Sequence, residues 1–181
     1  MIFFIIINFI LNQQQFILNG DFEDSLNHWH LLHGTGYYDT VKVAPFYHPD
    51  PDNEVYLYKY DADYIKLFQT VNIPHIYLRF SFSGKLLAKE LNPSAPYFAF
   101  SSVVLEYLDE EANYLGRTMF IYKTPHCPII NNPYQHLIEV TDTLWNDYSI
   151  NLFEELGNLP GINPFDVKKI RVALFDSTNG C

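Results

Sequence analysis

Cysteine is nearly absent from this chain of 181 residues, with two in all, and two tryptophans, two methionines and eight glycines are scarcely more. So few cysteines exclude a disulfide-dense miniature scaffold, which leaves an apolar core to hold the fold. Basic residues are scarce too: 11 Lys and Arg stand against 21 Asp and Glu, for a formal net charge of -10. An acidic surface repels phosphate backbones and anionic lipid, which argues against nucleic acid as a partner. Also missing are a glycine-rich phosphate loop, an H-E-x-x-H pair and a G-x-S-x-G elbow. Helical three-and-four spacing is almost absent.

What the chain has in quantity is apolar and aromatic side chains, 48% and 17%, enough for one sizeable core and too little length for two ordinary domains. The apolar run Met1 to Leu11 falls well short of the roughly 20 residues that span a bilayer, so no membrane span is expected in the mature chain. Its length suits a signal peptide, and residues 1–15 are read as that leader or as an N-terminal apolar segment, ahead of one domain over 16–181. The chain is therefore expected to be secreted or displayed at the cell surface. A second reading makes the run a strand packed on a sheet, because no Lys or Arg precedes it and no small-x-small site leads up to Gln13. Cys127 and Cys181 suit an exported protein with a loop stapled to its C-terminal end, the alternative being two unpaired thiols.

Period-two alternation recurs along the chain. In Tyr77 to Gly84, Leu78, Phe80 and Phe82 share one face while Tyr77, Arg79, Ser81 and Ser83 share the other. Ile170, Val172 and Leu174 alternate in the same way with Lys169, Arg171 and Ala173. Further strands are expected at Phe16 to Glu23, Tyr37 to Ala44, Glu54 to Tyr60, Tyr64 to Ile73, Phe98 to Leu108, Tyr114 to Tyr122 and Tyr148 to Leu152, with a short helix at Phe153 to Leu156. The class is all-β, a two-sheet antiparallel sandwich. Two long proline-bearing connections, Ala88 to Pro96 and Lys123 to Leu144, are expected at its rim.

Two stretches carry a resemblance: Phe16-Ile-Leu-Asn-Gly-Asp-Phe-Glu-Asp-Ser-Leu-Asn-His-Trp29, and Leu67-Phe-Gln-Thr-Val-Asn-Ile-Pro-His-Ile-Tyr-Leu-Arg-Phe-Ser-Phe82. The first resembles the opening of jelly-roll carbohydrate-binding modules of the galactose-binding-like superfamily, and the second resembles the strand pair that follows. The resemblance implies a jelly roll that binds a polysaccharide or glycan and is not itself an enzyme, with Trp29 in the core. It also implies a structural calcium held by Glu23 and, more weakly, Asp21, with a backbone oxygen near Gly34. The family's last strand, which carries the paired aspartates of that site, would follow Cys181. Without it one sheet has an open edge that invites strand pairing with the N-terminal segment or a second chain.

Glu54-Val-Tyr-Leu-Tyr-Lys-Tyr60 sets Val55 and Leu57 on one face and Tyr56, Tyr58 and Tyr60 on the other. If the aliphatic face is core, the tyrosines form an outer stripe on which pyranose faces can stack, with phenols that hydrogen-bond hydroxyls. Tyr77 and Arg79 would extend that surface from a neighbouring strand, and Trp145 is a further candidate platform. The bland alternative has the rings covered by a loop or merely decorating a strand. His28, His30 and His33 lack further ligands at a zinc spacing, and Asp50-Pro-Asp-Asn-Glu54 reads as a solvated acidic turn. Glu106, alternating with Val104 and Leu108, is the carboxylate to watch for glycoside hydrolysis if burial raises its pKa, the bland alternative being a partly exposed residue of a surface strand. A structural or adhesive protein using the same sandwich for protein contacts is the alternative function.

Overall fold

The computed structural model describes residues 4–8, 16–35, 39–45, 52–60, 63–89 and 96–179. Along the chain run β1 (Phe4–Asn8), β2 (His30–His33), β3 (Asp39–Ala44), β4 (Glu54–Lys59), β5 (Asp63–Asn72), β6 (Arg79–Lys85), β7 (Ala99–Leu108), β8 (Tyr114–Lys123), β9 (Gln135–Glu139), β10 (Asn146–Asn151), α1 (Leu152–Glu155) and β11 (Lys169–Thr178). They form two sheets, one ordered β10-β6-β1-β4-β3 and the other β2-β5-β11-β7-β8-β9. The all-β sandwich expected from alternation is the fold. One pairing departs from it: β9 runs parallel to β8.

The core lies between the sheets, where the inward alternates meet. Val55, Leu57, Phe80 and Phe82 of one sheet face Ile65, Leu67, Val103, Leu105, Tyr107, Ile170, Val172 and Leu174 of the other, all buried. Each such side chain contributes about 1.5–3 kcal/mol on full burial, so two strands with the alternation out of register would forfeit the interior. Phe82 locks the layers together, its ring 5.1 Å from Phe120 and 4.7 Å from Tyr148. α1 begins at the Asn151 cap and carries Glu155 into the rim, where the carboxylate accepts from Thr118 (2.8 Å) and sits 2.5 Å from His136 Nδ1.

A second apolar cluster covers part of the outward face of the six-stranded sheet. Phe100, Val104, Met119, Ile121, Leu137 and Ala173 pack there with Cys127. β7 is consequently buried on both faces, all ten residues of it.

Two expectations change. Phe16 to Glu23 is not a strand: residues 17–28 fold as successive turns, with Asn19, Phe22, Ser25 and His28 at positive φ. Asn19 is the pin of this knot, donating to the carbonyls of Ser25 and Asn27 and accepting from Asp24 N–H. Trp29 is buried 5.1 Å from Phe22, in the core as the resemblance implied. Secondly, the connection Lys123 to Leu144 holds β9, an element that the prolines concealed. The last described strand, β11, pairs with β5 and with β7 over its whole length. Of the two readings of the N-terminal run, Phe4–Asn8 lies in the sheet, between β4 and β6.

Candidate functional site

β4 builds the tyrosine stripe by alternation alone. Val55 and Leu57 are fully buried, and the half-buried Tyr56 and Tyr58 lie on the opposite face of the strand, where Glu54 is buried too. Tyr56 and Tyr58 have ring centroids 6.3 Å apart at an interplanar angle of 8°, and Tyr58 and Tyr60 are 6.5 Å apart at 22°. One strand repeat thus separates each nearly parallel ring from the next. The β3 register sets Lys42 opposite Tyr56 and Thr40 opposite Tyr58. Burial lifts the Tyr56 phenol above its ordinary pKa, with Tyr58 and the buried Asp176 adding to the effect, so the ring stays a neutral hydrogen-bonding group around neutral pH. The stripe is an amphipathic ladder with an ammonium and a hydroxyl along one side.

The structure does not bring Tyr77 and Arg79 to that ladder. Through β1, Ile5 stands opposite both Val55 and Gly84, which fixes the level of β4 against β6. On that scale Tyr58 and Arg79 are eight residues apart along the strand direction, about 26 Å. Tyr77 instead packs on Phe153 of α1, centroids 4.7 Å apart, and lies 6.3 Å from His75. Trp145 precedes β10, whose Asn146 pairs with Gly84, so it stands at the ladder's end of the sheet but on the far edge strand.

Glu23 does not gather calcium ligands around it. Its two carboxylate oxygens accept from Asn53, from the backbone N–H at 2.7 Å and the amide at 3.2 Å, and Asp21 accepts a long contact from Glu23 N–H. Among the described residues no three His, Cys, Asp or Glu converge as a metal would need. Of the three histidines, His28 and His30 line one cleft, His30 lies 5.4 Å from Phe68, and His33 pairs with Asp39 at 2.7 Å. Cys127 is a free, buried thiol whose pKa is raised by burial, and Cys181 lies outside the described residues, as does most of the Asp50 to Glu54 turn's start.

The feature that sequence reasoning missed is a polar row across the outward face of the six-stranded sheet. Register lines up Thr70, Arg171, Glu106, Arg117 and Gln135 on five successive strands. Glu106 is buried rather than partly exposed, and it lies between cations: Lys66 Nζ is 2.5 Å away and Arg171 Nη1 2.9 Å. Those two cations stand where the catalytic reading needed an apolar setting. The signal was present in the outward positions of Lys66 and Arg171, yet cross-strand register is not readable from one strand at a time.

No protein-family model matches the chain, and no curated protein matches it. The galactose-binding-like assignment therefore stays a resemblance, while the β-sandwich stands on the structure. Among solved structures, the chain is similar to the enzymatically active domain of tailspike protein 4 of bacteriophage CBA120, at 12% identity and a TM-score of 0.36. The match covers 89% of this chain and 19% of that one. The expectation that this chain is not an enzyme is corrected here, since the neighbour is described as enzymatically active. At that TM-score the likeness supplies no residue, substrate or reaction.

Proposed function

We propose that this chain is an exported β-sandwich that recognises a glycan chain on the outward face of its five-stranded sheet. The observation that carries the reading is the ladder of Tyr56, Tyr58 and Tyr60, rings nearly parallel and one strand repeat apart. Sugar C–H faces pack on such rings, and the phenols, Thr40 and Lys42 provide hydrogen bonds for hydroxyls. Because the rings stand on a strand whose other face is fully buried, they are held in place before any ligand arrives, which reduces the ordering cost of binding.

The test is retardation in native gels cast with neutral polysaccharides, for the wild type and for Tyr56→Ala and Tyr58→Ala. One aromatic contact is worth about 1 kcal/mol, so each variant is expected to bind roughly fivefold more weakly. Unaltered retardation in both variants removes the ladder as the site. A reducing-sugar assay on the same polysaccharides reads whether a bound chain is also cut.

A further inference from the structure

A cleft of about 360 Å³ opens on the other sheet, lined by Leu18, His28, His30, Phe68, Thr70 and Val71. Its volume is in the range that holds a small cyclic ligand. The knot pinned by Asn19 forms one wall, tied to β5 by the reciprocal pair in which Gln69 accepts from Leu18 N–H (2.8 Å) and donates to Leu18 C=O (2.9 Å). The other wall is Phe68, with the His30 ring on one side and the Arg171 guanidinium 5.2 Å from its centroid.

Arg171 is oriented rather than consumed by its partners. Its Nε donates to Thr70 Oγ1 at 3.0 Å and its Nη1 to Glu106 at 2.9 Å, and Nη2 has no partner among the described residues. Thr70 accepts through its hydroxyl oxygen, and its own O–H has no acceptor among the described residues. Charge at this corner is unbalanced, because the single carboxylate of Glu106 faces both Lys66 and Arg171. A fixed guanidinium with an open fork, an adjacent hydroxyl donor and a ring wall match one chemistry well: a carboxylate carried on a polar ring.

We infer that this cleft binds the carboxylate of an acidic sugar, with Thr70 of its lining and the neighbouring Arg171 as the donors. The inference rests on the glycan reading for the sugar, while the site lies on the opposite sheet from the tyrosines. The protein's net charge of -10 opposes long polyanions, so short uronate-bearing chains or chain ends are the ligands that fit.

Calorimetric titration with uronic-acid disaccharides of gluco and galacto configuration, their neutral counterparts and acetate tests it. A uronate is expected to bind about tenfold or more tightly than its neutral counterpart, as one charge-assisted pair provides. Arg171→Gln should erase that preference, Arg171→Lys should keep part of it, and Thr70→Val, at an exposed position that tolerates the change, should weaken it. Equal binding of acidic and neutral sugars, or a preference that survives undiminished in Arg171→Gln, overturns the inference, and acetate binding as tightly as the uronates overturns the sugar. The two readings fail separately: Tyr58→Ala should leave the uronate preference intact, and loss of neutral-polysaccharide retardation alone would strike only the tyrosine ladder.

Discussion

The two outward faces of this sandwich obey the same alternation and end with opposite chemistry. On the five-stranded sheet the outward alternates of β4 are rings, set beside Lys42 and Thr40. On the six-stranded sheet they are charges, and Glu106 pairs with both Lys66 and Arg171 beside a second apolar cluster. The core-facing pattern is interchangeable between the sheets, whereas the outward residues decide what each face can hold. A face of aromatic rings offers area to a neutral ligand. A face of paired charges is committed internally, except where a guanidinium has donors to spare.

The sharpest way to break that contrast is to delete the committed charge. Glu106→Gln leaves Lys66 and Arg171 facing each other and should cost about 2–3 kcal/mol, less than the roughly 3–5 of a fully buried pair because the Arg171 side chain keeps 29% exposure. The thermal midpoint should fall by roughly 5–10 °C. Tyr58→Ala, on the other face, removes only a half-buried cross-strand ring and should cost about 1 kcal/mol or less. Equal losses in the two variants would mean that the faces are not energetically distinct.

Asp176 sharpens the comparison from inside the core. It is fully buried on β11 opposite Ser101, and neither its carboxylate oxygens nor the Ser101 hydroxyl has a partner among the described residues. Burial holds its carboxyl well above the ordinary 3.8. A raised folded-state value means that the protonated acid favours the fold below the unfolded value, and that this contribution is lost as pH rises through the folded one. Asp176→Asn, neutral throughout, should therefore raise the melting temperature at about pH 8 and change it little near pH 4. A penalty at about pH 8 from this substitution would show that the carboxylate is stabilised there by a group that the geometry does not show.

The smallest effect concerns the acidic cluster of the first turns. With both Glu23 oxygens taken by Asn53, a chelator should leave the unfolding transition in calorimetry where it was. A transition that falls on chelation would restore a structural ion.

Much of the fold was legible because one sheet face is apolar wherever it meets the core. Leu78, Phe80 and Phe82, or Ile170, Val172 and Leu174, declare a strand and its inward side together. The turn knot at Asn19 was not legible. Its positive φ values at Asn19, Phe22, Ser25 and His28 come from side-chain to backbone bonds that a local apolar run, Phe16-Ile-Leu18, does not announce. β9 was hidden for a related reason: a parallel strand inside a proline-bearing connection is recruited by β8, not by its own alternation. The tyrosine ladder followed from period two alone. The separation of Arg79 and Tyr77 from it, and the meeting of Arg171 with Glu106 and Thr70, depend on strand order and register, which link residues 65 to 101 positions apart.

The most direct test of the account is proton NMR of the tyrosine rings during titration with a neutral oligosaccharide that the protein retards on. Recognition through the ladder predicts that the resonances of Tyr56, Tyr58 and Tyr60 shift together and saturably while those of buried Tyr107 stay in place. Saturable binding that leaves all three ladder rings unperturbed would contradict it.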